Sequence, residues 1–333
     1  MAIALTMGEP AGIGAEISLK AWQRLRETHC RFFLMHDLAW AQRTAFELGL
    51  PIRVIGHPGE ADDVFADALP VLQMHVPGVI TAGLPAVSHA PAVIESIRRG
   101  VEFVRCGQAS ALVTNPIQKS SLYAAGFAFP GHTEFLEHLA GPPFRSIMMI
   151  ACPTLKVVPV TVHQSLCSAI AGLTTEKIVA TALATAQAVV RDFGVLRPRL
   201  AIAGLNPHAG EDGALGREEI DIIEPAVREL VSRGLGATGP WPPDTLFTER
   251  ARRQYDVAIC MYHDQALIPL KTLDVDGGVN VTLGLPFVRT SPDHGTALNL
   301  AGQGLADPGS LVAAIRMAAD IVANRNATTG SRC

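Results

Sequence analysis

The chain has 333 residues, 48% of them hydrophobic, with a formal net charge of −4 at pH 7. That length supports a large core and more than one lobe. No basic stripe marks a nucleic-acid partner, and no run of 18 uncharged apolar residues marks a membrane span.

The elements follow a regular order. Strand-like apolar runs are expected at Ile3–Met7, Arg31–Met35, Ile52–Ile55, Ala111–Thr114, Ser146–Ala151, Val157–Val162, Leu200–Ala203, Val257–Met261 and Val279–Leu283. Helix-like segments are expected at Ala15–Arg26, Ala39–Leu48, Ala92–Cys106, Thr175–Phe193, Glu218–Arg233 and Gly309–Ala323. Strands apolar on both faces and alternating with helices predict an α/β protein with a largely parallel sheet. The Pro/Gly-rich stretch from Gly234 to Pro243 is expected to be a loop. The six cysteines are Cys30, Cys106, Cys152, Cys167, Cys260 and Cys333, with no C-x-x-C pair. Most sit in apolar surroundings and read as small hydrophobes of a reduced protein. With no visible signal peptide, a cytoplasmic location is expected.

Between the first strand and the first helix lies GEPAGIG, Gly8 to Gly14. Its glycine spacing is not the G-x-G-x-x-G of a dinucleotide fingerprint. Three histidines form the stronger signal. His163, His208 and His263 each follow an apolar run, in VVPVTVH, LAIAGLNPH and VAICMYH. Open α/β sheets bind ligands at the carboxyl ends of their strands. Three imidazoles there suit a divalent metal with a position left open for substrate. Three unrelated loop histidines remain the plain alternative, because the spacing matches no short metal motif.

Other candidates have plain alternatives too. Thr133, in PGHTEF, is either a helix cap or a ligand-binding group. Lys119, Lys271 and Arg289 emerge from apolar runs, either to meet a buried anion or to snorkel. Asp244 and Asp264 lie close by as possible acids, bases or supports for a ligand histidine. Asp293-His294-Gly295-Thr296 precedes a helix-like segment and is either a turn or a phosphate- or nucleotide-contacting loop.

Together, TMGEPAGIGAE, TNPIQK, GHTEF, GLNPHAGEDGALGREE, PDTLF, MYHDQALIPLK, GVNVTLGLPFVRTSPDHGTA and LAGQGLADPGS resemble the 4-hydroxythreonine-4-phosphate dehydrogenase family of vitamin B6 biosynthesis, from residue 3 to about 320. The chain departs from that pattern at Gln118, at Ala266 and in the QSL after His163. The family is in turn similar to the isocitrate and isopropylmalate dehydrogenases.

The resemblance implies two α/β lobes around a central cleft and no Rossmann fold. The first lobe would span 1–130 plus 285–333 and carry the cofactor-contacting loops. The second would span 131–284 and carry the metal ligands and a homodimer interface. It implies His163, His208 and His263 as metal ligands in a site shared between subunits, with Zn2+ favoured among Zn2+, Mg2+, Co2+ and Mn2+. His132, Thr133, Lys271, Asn280 and Arg289 would bind a phosphorylated hydroxy-amino acid. His294, Gly295, Thr296 and Ala297 would contact NAD or NADP. Asp244, Asp264 and Lys119 are the catalytic candidates. The implied reaction is oxidation of 4-phosphooxy-L-threonine to 2-amino-3-oxo-4-phosphooxybutanoate, which decarboxylates to 3-amino-2-oxopropyl phosphate. The alternatives are a related dehydrogenase of 4-phospho-D-threonate or 4-phospho-D-erythronate, and a phosphotransacetylase-like acyltransferase or a phosphate-ligand binder without catalysis.

Overall fold

The computed structural model describes residues 1–330, with side chains through 327; Cys333 lies outside the described residues. Among the described residues the strands are β1 (Ile3–Leu5), β2 (Phe32–His36), β3 (Ile52–Ile55), β4 (Leu69–Gln73), β5 (Leu112–Val113), β6 (Ile147–Cys152), β7 (Leu155–Pro159), β8 (Arg199–Ala203), β9 (Gly236–Trp241), β10 (Val257–Cys260), β11 (Val279–Leu283) and β12 (Arg289–Pro292). The chain divides into two compact units. One is Met1–Ser146 with Leu285–Ala323, and the other is Ile147–Gly284 with the residues from Asn324. Residues 131–146 thus go with the first unit, where the expected boundary put them in the second.

In the first unit the strand order is β3-β4-β2-β1-β5-β12, and the pairs described are parallel. Both faces of this sheet are covered, so β2 can read as the uninterrupted run Phe32-Phe33-Leu34-Met35 and be buried throughout. The helix Leu38–Leu48 starts at Asp37, whose carboxylate accepts the Trp40 N–H at 3.1 Å. It stops at Gly49, which takes the left-handed conformation. Phe32 and Phe65 meet edge to face at 5.2 Å, and Trp22 Nε1 donates to the Phe65 carbonyl at 2.7 Å, so the indole is buried without leaving its N–H unpaired.

In the second unit the order is β11-β6-β7-β10-β8-β9. β7, β10, β8 and β9 run parallel, and β6 is antiparallel to both β7 and β11. The core joins Ile150, Val157, Ala201, Ala258 and Cys260 from the strands to Ala266, Leu267 and Leu270 of the helix His263–Leu273.

The expected loop at Gly234–Pro243 is instead the strand β9, paired with β8 alone. An edge strand tolerates Pro240 because one side of its backbone has no ladder to complete. β4 and β12 were also absent from the sequence pattern. β12 reads as polar, Arg-Thr-Ser-Pro, yet all four residues are buried. Two of its side chains find partners inside: Arg289 Nη2 donates to Thr114 Oγ1 at 2.7 Å, and Thr290 Oγ1 donates to the Ala314 carbonyl at 2.8 Å.

Candidate active site

The three expected metal histidines leave the carboxyl ends of three adjacent parallel strands. His163 follows β7, His263 follows β10 at the first position of its helix, and His208 follows β8 in the turn Pro207–Gly213. Hydrogen bonds hold these exits in register. Thr161 Oγ1 donates to the Met261 carbonyl at 2.8 Å, tying the β7 exit to the β10 exit two residues before each histidine. Gln265 Oε1 accepts the Met261 N–H, and its Nε2 donates to the Gly204 carbonyl, both at 2.7 Å, tying β10 to β8.

His163 and His263 come together, with ring centroids 5.9 Å apart and planes inclined by 41°. They line one cavity of about 440 Å3 with Thr161, Tyr262 and Asp264. His263 Nδ1 lies 2.7 Å from Asp264 Oδ1. A carboxylate on Nδ1 sets the tautomer and turns Nε2 outward, as in carboxylate–histidine–metal arrangements. The pair therefore fits two ligands of a divalent ion. His208 reaches the same sheet edge but is not among the residues lining that cavity. Among the described residues no group of three or more His, Cys, Asp and Glu side chains is close enough to hold a metal. Within the single chain the expected triad is thus a pair plus a separate third histidine. Asp244 is exposed on the short helix Pro243–Leu246.

The first unit gathers a cationic cluster. Gly131 precedes the helix His132–Ala140, and no side chain caps this N-terminus. Lys119 Nζ lies 3.5 Å, and the Glu134 carboxylate oxygen Oε2 3.6 Å, from where a Gly131 side chain would begin. Burial, followed by the charges of Arg289 and Lys119, holds the His132 imidazole well below its ordinary pKa, so it is neutral at pH 7. Its Nε2 is buried without a hydrogen-bond partner. Burial also pulls the Arg289 guanidinium down to about 9, even though Thr114 accepts one of its N–H groups. A buried guanidinium, an ammonium, an unpaired imidazole nitrogen and an uncapped helix N-terminus suit an anion such as a phosphate. His132, Thr133, Lys119 and Arg289 belong to this cluster. Lys271 and Asn280 belong to the second unit, in the last turn of His263–Leu273 and on β11.

The expected cofactor segment packs against the opening glycine loop. The Ile13 N–H donates to the Thr296 carbonyl at 3.2 Å. A side chain at Gly12 would begin 2.9 Å from that oxygen, which requires glycine there. Thr296 Oγ1 also donates to Gln118 Oε1 at 3.3 Å. His294 Nδ1 lies 2.9 Å from the Gly295 carbonyl, and its Nε2 is buried with no partner, a polar atom that a bound dinucleotide would satisfy. Under the same loop Glu9 and His89 are almost completely buried. Burial pushes the Glu9 carboxyl up, against the pull of the Ala11 N–H and of His89. Sequence reasoning missed Thr114, Thr161 and Gln265. Gln265 lies within MYHDQALIPLK, two residues from His263, so proximity to that motif was the available signal.

The model of the family described as pyridoxal phosphate biosynthetic protein PdxA matches residues 28–318. The chain is 53% identical over 329 residues to the 4-hydroxythreonine-4-phosphate dehydrogenase of Caulobacter vibrioides, covering 97% of this chain and 98% of that protein. It is 51% identical over 334 residues to the corresponding protein of Bradyrhizobium diazoefficiens, covering 96% and 97%. A crystal structure of the 4-hydroxythreonine-4-phosphate dehydrogenase of Klebsiella pneumoniae matches with a TM-score of 0.85 at 37% identity, over 96% of this chain and 98% of that one.

Proposed function

We propose a division of labour among these residues from one premise: the chain belongs to the family of the pyridoxal phosphate biosynthetic protein PdxA. Its activity is that of a 4-hydroxythreonine-4-phosphate dehydrogenase. It oxidises 4-phosphooxy-L-threonine with NAD or NADP as hydride acceptor. The C3–H bond breaks with its electron pair passing to the nicotinamide, the hydroxyl proton passes to a base, and a C3 carbonyl forms. The product, 2-amino-3-oxo-4-phosphooxybutanoate, loses its carboxylate as CO2 and takes up a proton at C2, leaving 3-amino-2-oxopropyl phosphate.

Lys119, His132, Thr133 and Arg289 hold the phosphate, with the first-turn amides of His132–Ala140 adding their N–H dipoles. Lys271 and Asn280 bind the remaining polar groups of the substrate. His163, His208 and His263 would hold a divalent ion, Zn2+ first, which supplies Lewis acidity at the C3 hydroxyl. Asp264 keeps the His263 imidazole in one tautomer, with Nε2 turned outward. Lys119 sits among cations and Asp264 on His263, which leaves Asp244 as the carboxylate to test as base. The segment His294–Ala297, braced by the opening loop, receives the dinucleotide. The active unit is a homodimer with its site shared between subunits.

The observation that carries this reading is the His163–His263 pair at the joined exits of β7 and β10. Its test is turnover of 4-phosphooxy-L-threonine beside 4-phospho-D-threonate, with NAD and NADP each supplied. Reduction of the dinucleotide with the amino acid phosphate, accompanied by CO2 release, is the expected result. Faster turnover of the hydroxy acid phosphate transfers the assignment to sugar-acid chemistry. Acyl transfer without dinucleotide reduction overturns it.

A further inference from the structure

We propose that Glu219, fourteen residues from the β8 exit in sequence, is a positioning residue that sets the His208 imidazole; this rests on the reading of His208 as a metal ligand. His208 has φ +51°, and the four residues after it are also left-handed: Ala209 at +53°, Gly210 at +84°, Glu211 at +44° and Asp212 at +54°. Side chains of L-residues resist this conformation, so such a run persists only where its surroundings hold it.

Glu219 does the holding. It is 1% exposed. Its Oε1 accepts the N–H groups of Leu205 and Asn206, both at 2.7 Å. Its Oε2 accepts from Asn206 Nδ2 at 2.9 Å. These donors are the last groups of the β8 exit before Pro207 and His208. The same carboxylate lies under the turn beyond His208, where a side chain at Gly210 would begin 2.6 Å from Oε2. Asn206 Nδ2 also donates to Glu218 Oε2 at 2.7 Å, which fixes the amide on the carboxylate. Glu219 itself opens a π-helical turn, Glu219–Ile223, a local irregularity common at functional sites. One buried carboxylate therefore binds the chain before His208 and abuts the turn after it. Partners that orient a metal ligand directly are worth about 10- to 100-fold in metal affinity, which sets the scale for a support acting through the backbone.

The experiment titrates Co2+ into metal-free full-length protein and into E219Q, H208A and the double variant. Affinity is read by chelator competition, coordination by visible absorption, and folding by circular dichroism. Glu219→Gln keeps the side-chain volume but sets an amide NH2 against a donor, Asn206 Nδ2 when the carbonyl stays on the two backbone N–H groups. Folded E219Q is expected to bind Co2+ about 10- to 100-fold more weakly, with an altered visible spectrum. The double variant is expected to bind no more weakly than H208A, because Glu219 acts through His208. If E219Q does not fold, Glu219→Asp, which keeps the charge but shortens its reach to the Leu205 and Asn206 N–H groups, tests the same contact. Native affinity and spectrum in either folded variant, with H208A weakened, overturn the inference. Native affinity in H208A overturns the metal reading itself.

Discussion

Gln265 offers the sharpest perturbation of the site's frame. Its side chain is 7% exposed and makes two 2.7 Å hydrogen bonds, from the Met261 N–H and to the Gly204 carbonyl. Gln265→Met keeps most of the volume and removes both bonds, whereas Gln265→Ala also opens a cavity. Each buried backbone group left unpaired costs about 1–3 kcal/mol, so the Met variant loses about 2–6 kcal/mol in all. The Ala variant loses more by the cavity term. The assay is urea unfolding of the full chain, comparing midpoints at unchanged slope. Because the lost bonds tie the β10 exit to the β8 exit, divalent-metal affinity falls together with stability. A Met variant destabilised by less than about 1 kcal/mol and binding metal as the native chain does would refute the strap.

Gly12→Ala drives a methyl group into the Thr296 carbonyl, and the expected outcome is a KM for the dinucleotide raised about tenfold or more, with kcat affected less. An unchanged KM removes the 294–297 segment from the cofactor site. Lys119→Met removes a cation beside His132, so the KM for the phosphorylated substrate should rise about 10- to 100-fold. In the same variant the His132 pKa rises, because one of the charges depressing it is gone, and titration of the imidazole by NMR checks the direction. His36 is buried, has no partner on either nitrogen, and is held at about 4 by burial. The unfolded chain therefore takes up a proton that the folded one refuses, and stability falls as pH drops from 6.5 toward 4. That is worth about 3 kcal/mol. His36→Leu should flatten this part of the stability–pH curve, and an unchanged curve contradicts the assignment.

The parallel alternation was legible because the central strands are buried on both faces and so read as plain apolar runs. The histidines after three of those runs were legible for the same reason, since a strand end is where such a sheet offers a site. Other features depend on partners distant in the chain. Nothing local in Arg-Thr-Ser-Pro says that β12 is buried, because Thr114 and Ala314 supply the missing hydrogen bonds. Gln265 bridges to Gly204, 61 positions away. The left-handed run from His208 breaks the local preference of four non-glycine residues, and its support comes from the distant Glu219 carboxylate and from turn hydrogen bonds such as Leu215 N–H to the Gly210 carbonyl. The glycine spacing from Gly8 to Gly14 departs from G-x-G-x-x-G in the sequence itself, whereas the packing of this loop on Thr296 depends on a partner near the other end of the chain.

The proposed function makes dinucleotide reduction depend on a metal at the histidine pair. Its most direct test is turnover of 4-phosphooxy-L-threonine by native protein and by His263→Ala, before and after removal of metal by chelation and its return as Zn2+. The native protein is expected to lose dinucleotide reduction on chelation and to regain it with Zn2+, while His263→Ala is expected neither to bind the ion stoichiometrically nor to recover. Undiminished turnover by the metal-free native protein would contradict that dependence.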